Sequence, residues 1–308
     1  MSISVNLYKK NFLIRFDKDP AIPYLSYKDY DGLNYKENHF TNSIGVKIYY
    51  FEYSYKVIKK KTVVFCPGIG PGHTAYLPEI DSLCRDGYRV ITLDYMGCGA
   101  SDGDTLYSIN EPTRDVIDLL NHLNLKEDLV LVGHSLGGYT SLNVVNLRSD
   151  INKAIIMSGF LSISSLGLAL LKNRFVVSRI LKYEKKVDKE YSNIDNLEYL
   201  KTTNNKLFFI HSDNDVVVPH SISMSVVESL NNPNIKTLTV NGRKHNPNYT
   251  DSAVRYMDEI FGKYNYLLKK KQIKTDQQKI DYFKDVSLPK LVEQDEKMFD
   301  EIASFIDE

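Results

Sequence analysis

The run Gly133-His134-Ser135-Leu136-Gly137-Gly138 sets a serine between glycines, and that spacing has a direct chemical use. Small residues at 133 and 137 let the backbone turn sharply while Ser135 Oγ projects clear of its neighbours. Residues 129–132 before it read as a short buried strand. Residues 139–147 after it read as a helix, with Leu142, Val145 and Leu147 available for burial. The free N–H groups at the start of such a helix point where negative charge develops when a serine attacks a carbonyl.

A serine hydroxyl is a poor nucleophile at neutral pH. It needs a neighbouring base, and the base needs an acid to orient it. Seven histidines compete for the first role. His39 and His122 lie away from predicted strand ends and read as surface residues. The side chain of His134 points away from Oγ at so tight a turn. His73 follows the loop 67–72 and is expected near the pocket, while His211 ends a strand and His220 opens a helix. His245 follows the last strand on a short loop, and its location and chain order select it as the base. For the acid, the loop after strand 206–210 reads His211-Ser212-Asp213-Asn214-Asp215-Val216-Val217-Val218-Pro219. Either aspartate there can orient an imidazole, and Asp213 has the alternative of capping its own turn. After the preceding strand, 154–157, no carboxylate occurs until Glu184.

The elements that must position these groups follow a regular order. Residues 45–53 read as a strand with Val46, Ile48 and Tyr50 on one face, leading to a polar turn at 59–61. From Thr62 the pattern is strand, loop, helix, repeated: strands at 62–66 and 89–93, helices at 77–85 and from about 111, with Asn110 as N-cap. Strands at 206–210 and 235–240 bracket a helix near 221–230. This alternation indicates an α/β fold, a mainly parallel sheet flanked by helices, with functional groups collected at the carboxyl ends of the strands. Residues 159–205 are longer than one crossover helix needs and read as a small helical cap insertion. Its apolar run 166–171 either lines a pocket or packs as an ordinary crossover. A C-terminal helical extension is expected over about 265–308. Within it Met298, Phe299, Ile302, Phe305 and Ile306 form a stripe that faces the protein's own core rather than a second chain. The whole chain, 1–308, thus reads as one domain.

Composition narrows the class. Lys+Arg and Asp+Glu both number 39, so formal net charge is zero and no global field favours nucleic acid or an anionic membrane. The three cysteines show no metal-ligand spacing and read as free thiols of a reducing compartment. Neither an N-terminal leader pattern nor a transmembrane run of apolar residues occurs, so the expectation is a cytoplasmic protein.

Four blocks in order resemble the α/β-hydrolase superfamily, in its serine esterase and lipase style. They are the elbow 133–138; Asp94-Tyr95-Met96-Gly97-Cys98-Gly99-Ala100-Ser101; residues 213–219; and Lys244-His245. The likeness places the acid at Asp215. It aligns Gly68-Ile69-Gly70 with the family's oxyanion loop, so that the backbone N–H groups of Ile69 and Leu136 are expected to hold the oxyanion. Pro67 stands where the family usually has histidine, Met96 where arginine is frequent and Cys98 where histidine is frequent. The implied activity is hydrolysis of a carboxylic ester, a small-molecule acyl substrate, through an acyl-serine intermediate with no cofactor and no metal. Peptidase, thioesterase and acyltransferase chemistry share that intermediate. Two further readings stand apart: an NAD-dependent oxidoreductase, because Gly68-x-Gly70 follows a strand although the third glycine position holds His73, and a binding module without catalysis.

Overall fold

The computed structural model describes residues 3–308 except 57, 59, 60 and 127. Its centre is an eight-stranded sheet: β1 (Asn34–Thr41), β2 (Lys47–Ser54), β3 (Thr62–Cys66), β4 (Arg89–Leu93), β5 (Leu129–His134), β6 (Lys153–Met157), β7 (Lys206–Ser212) and β8 (Ile235–Val240). The spatial order is β1-β2-β4-β3-β5-β6-β7-β8. The pairs β1–β2 and β2–β4 are antiparallel and all others parallel. The central strands are continuous apolar runs because both faces are covered. Alternate residues divide between two cores: Leu129 and Leu131 face one, Val130 and Val132 the other.

Helices supply the covering layers. They are α1 (Ile3–Phe12), α2 (Leu77–Arg85), α3 (Glu111–His122), α4 (Leu136–Leu147), α5 (Ile163–Leu171), α6 (Arg174–Val187), α7 (Asn196–Thr202), α8 (Met224–Ser229), α9 (Asp251–Lys269), α10 (Asp276–Phe283), α11 (Leu288–Leu291) and α12 (Glu296–Asp307). On one face α3 contributes Val116, Leu119 and Leu120, and α4 contributes Leu142 and Val145. On the other, α2 packs beside α12, whose Met298, Phe299, Ile302, Phe305 and Ile306 are all buried. The C-terminal stripe therefore closes the protein's own core, as its spacing predicts. Among the described residues, no helix is long and apolar enough to cross a membrane.

Several local expectations differ from the structure. Asn110 stands at the N-cap position of α3 without capping it; its Oδ1 accepts the buried hydroxyl of Tyr139 at 2.8 Å instead. α1 and β1 have no counterpart in the sequence reading. The boundary expected near 265 falls inside α9. The turn expected at 59–61 falls on residues 59 and 60, which lie outside the described residues.

The topology fixes where chemistry can occur. From β3 the chain steps outward to β4, then returns to β5 on the other side of β3. At such a reversal the loops after the two neighbouring strands part and leave a crevice at their carboxyl ends. The loop after β3 carries Pro67–Gly70, and the loop after β5 carries Ser135.

Candidate active site

Ser135 sits between β5 and α4 with φ 56° and ψ −117°, a left-handed conformation that costs a non-glycine residue on the order of 1–3 kcal/mol. Surrounding contacts hold it there. Ser135 N donates to Met157 O at 2.9 Å, and Tyr139 N donates to Ser135 O at 3.1 Å. The flanking glycines are needed for close approach. A Cβ at Gly133 would collide with the carbonyl of Gly137, and one at Gly137 with the carbonyl of Cys66. The bend and the seating of α4 on β3 thus rest on the same two residues.

His245 Nε2 lies 2.9 Å from Ser135 Oγ, and His245 Nδ1 lies 2.8 Å from Asp215 Oδ2. Asp215 is buried. Burial opposes its charge, but hydrogen bonds from His211 and His245 and from backbone N–H groups outweigh it. They hold its pKa well below the usual carboxylate value. Its Oδ1 accepts from Val217 N at 2.8 Å and Val218 N at 3.0 Å. An ionised Asp215 fixes the Nδ1–H tautomer of His245, leaving Nε2 free to accept the Ser135 proton.

The loop that carries His245 is clamped by side chains beside Asp215. Gly242 N donates to Asp213 Oδ1 at 2.9 Å, Arg243 N to Ser212 Oγ at 2.9 Å and Lys244 N to Asn214 Oδ1 at 2.8 Å. Asp213 therefore ties down the neighbouring loop instead of capping its own turn or orienting the imidazole. Ser212, in the place of the family's glycine, supplies one of the three acceptors.

His134 does point away from Ser135 Oγ, yet it serves the same loop. Its Nε2–H donates to the backbone carbonyl of His245 at 2.7 Å, and its Nδ1 accepts from the Tyr76 hydroxyl at 3.1 Å. Burial, followed by the neighbouring His245, pushes its pKa down to about 3, so His134 is a neutral strut. No signal in the sequence marks this contact. His73 belongs elsewhere: it pairs with Asp94 at 2.8 Å and stacks on Phe51 at 3.6 Å. It borders a different cavity from that of Ser135. His39 and His122 are exposed, as expected.

Ser135, Leu136 and Ile69 border one cavity of about 150 Å³. Leu136 is the first residue of α4, where an N–H has no acceptor one turn earlier. Gly68 brings the opposite loop close: a Cβ there would strike the Tyr76 hydroxyl and approach Ser135 Cβ at 3.3 Å. The rest of the wall is apolar: Ile109, Phe160, Ile163, Leu166, Val177 and Ile180, with Val217 and Val218 beside Asp215. Leu170 and Leu171 of α5 also line it, and α1 adds Tyr8 and Phe12, a contribution from α1 that sequence spacing does not reveal.

Comparison with known proteins agrees with this architecture. Residues 63–211 match the model of an alpha/beta hydrolase family; that stretch holds Ile69, Ser135 and Leu136 and stops short of Asp215 and His245. A proline iminopeptidase of Saccharolobus solfataricus is 27% identical over 174 residues, covering 54% of this chain and 55% of that protein. A putative chloroplastic methylesterase of Arabidopsis thaliana is 34% identical over 109 residues, 34% of this chain and 31% of that protein. The chain thus spans about half or less of the length of these curated relatives. A solved esterase of Pyrococcus furiosus superposes with a TM-score of 0.59 at 17% identity, covering 88% of this chain and 97% of that one; at such identity the likeness speaks for the fold. The elbow and the family match over residues 63–211 support placing the chain in the α/β-hydrolase superfamily, and the strand order and structural neighbours show the α/β-hydrolase fold.

Proposed function

We propose that the protein is a serine hydrolase that cleaves a carboxylic ester through an acyl-serine intermediate. The observation that carries this reading is the continuous hydrogen-bonded chain Ser135–His245–Asp215 at the wall of an apolar cavity. Ser135 Oγ bonds to the ester carbonyl carbon as its proton passes to His245 Nε2. The backbone N–H groups of Ile69 and Leu136 stabilise the tetrahedral oxyanion, a contribution of roughly 3–4 kcal/mol for a single donor. The alcohol leaves with the proton from His245, and a water deprotonated by His245 then releases the acid. Metal and cofactor play no part in these steps.

The cavity also bears on the substrate. A volume near 150 Å³ accepts a group about the size of benzene, which favours short or aromatic acyl groups. Relatives include a protein named as an iminopeptidase, but among the residues lining this cavity none is a carboxylate that would pair with a substrate ammonium. That favours the ester reading over the peptidase one. In the same proposal residues 159–205, which form α5–α7, cap the single catalytic domain, the helices after 265 extend it, and the buried free thiols Cys66, Cys84 and Cys98 suit a cytoplasmic setting.

The test is hydrolysis of nitrophenyl esters of graded acyl length by the wild type and by Ser135→Ala. A burst of nitrophenol in the wild type, a preference for short chains and a loss of at least about 10⁴-fold in the variant are expected. Equal turnover by the variant sinks the reading.

A further inference from the structure

We propose that the mouth of the Ser135 cavity docks onto an anionic lipid surface, an inference that rests on reading this cavity as the substrate's entrance. The mouth is apolar and uncovered. Phe12, Ile69, Leu170, Leu171 and Val217 all line the cavity, yet each is exposed to solvent. Two larger projections flank them. Phe175, at the first turn of α6, is 82% exposed, and Val216 is 78% exposed. Such a cluster is costly to leave in water and marks a contact surface.

Charge identifies what it contacts. The protein has zero formal net charge, yet the α5–α6 hairpin carries Lys172, Arg174, Arg179, Lys182, Lys185 and Lys186, all exposed. Its one acid, Glu184, is buried and holds the Tyr8 hydroxyl at 2.8 Å and the Ser108 hydroxyl. None of the six cations has a carboxylate partner among the described residues. On α6, Val177, Ile180 and Glu184 turn inward, whereas Phe175, Arg179, Lys182 and Lys186 recur at helical spacing on an exposed face. An aromatic tip followed by a row of cations is how a helix lies on a lipid headgroup layer. α1 adds to the same side: its Tyr8 and Phe12 reach the cavity, it packs on α6, and it carries Lys9 and Lys10 without an acidic residue. A second copy of this chain is the poorer occupant, since a twofold contact would set the two cationic rows against each other. Docking in this orientation would deliver apolar esters dissolved in the lipid directly to Ser135.

The experiment is co-sedimentation of the full chain carrying Ser135→Ala, so that binding is read without turnover. Vesicles of phosphatidylcholine alone are compared with vesicles that also contain phosphatidylglycerol. Binding to the anionic vesicles is expected, weakened by salt. In that background Phe175→Ser should weaken it by about tenfold and Lys182→Glu by at least about fivefold. In the otherwise wild-type chain, both substitutions should leave hydrolysis of a soluble short-chain ester within about twofold. Failure to bind either vesicle overturns the proposal, as does binding indifferent to both substitutions, or self-association in place of vesicle binding. The two readings fail separately. Vesicle binding without ester hydrolysis removes the esterase, and hydrolysis without vesicle binding removes the docking surface.

Discussion

Asp215 and Asp213 lie two positions apart on one loop, and the fold gives them opposite tasks. Asp213 is exposed and accepts a single backbone N–H from Gly242. Asp215 is buried, and its charge survives burial only because His211, His245 and two backbone amides donate to it. Replacing its charge while keeping its shape isolates that role. Asp215→Asn would donate toward Nδ1 rather than accept from it, which turns the imidazole to the tautomer unable to take the Ser135 proton. Turnover of a nitrophenyl ester should fall by about 10⁴-fold. Asp213→Asn keeps an acceptor for Gly242 and should stay within about tenfold of the wild type. A larger loss at 213 than at 215, with both variants folded, would reverse the assignment.

Elements place these residues through contacts between loops that are distant in sequence. The loop 242–244 hangs on Ser212, Asp213 and Asn214, and on the far side His134 grips the His245 carbonyl. Asn214→Ala removes one of these holds at an exposed position, so stability should fall by only about 1 kcal/mol. A shift of the imidazole by a fraction of an ångström should still lower kcat by about 10- to 100-fold. Paired steady-state kinetics and thermal melts separate the two effects; an unchanged kcat would mean that the remaining contacts suffice. The same distinction explains what the sequence disclosed. Strands such as β5 and β7 are legible because burial on both faces makes them unbroken apolar runs, and Ser135 and Asp215 each follow one; His245 instead follows β8, a half-buried edge strand. β1 is not legible, since of its eight residues only Phe40 is buried and an edge strand needs no alternation. The grip of His134 on residue 245 and of Tyr8 on Glu184 spans 111 and 176 positions. Nothing local records such pairings, so the cavity wall from α1 and the clamp on the His245 loop emerge only from the folded chain.

At the scale of the whole molecule, zero net charge conceals ionisable groups that the fold has moved in opposing directions. Burial raises Glu79, Glu111 and Asp115 to about 7 each. For each, the unfolded chain releases its proton near the ordinary carboxylate value while the folded chain still holds it. The stability these three contribute is therefore fully present at low pH and is lost as pH rises toward 7. His134 works in the other direction. Burial depresses it to about 3, so below pH ~6.5 the unfolded chain takes up a proton that the folded chain refuses, and stability falls as pH drops. Glu79 is the informative member of the set. It lies on α2, accepts from Asn248 at 3.0 Å, and so joins the sheet's helical layer to the segment just after His245. Glu79→Gln keeps that acceptor and cannot ionise. Relative to the wild type it should be more stable at pH 8.5 than at pH 5, by on the order of 1–3 kcal/mol, as read from denaturant midpoints at the two values. A difference that does not change with pH would mean that Glu79 already carries its charge inside the folded protein, with Asn248 and its neighbours solvating it.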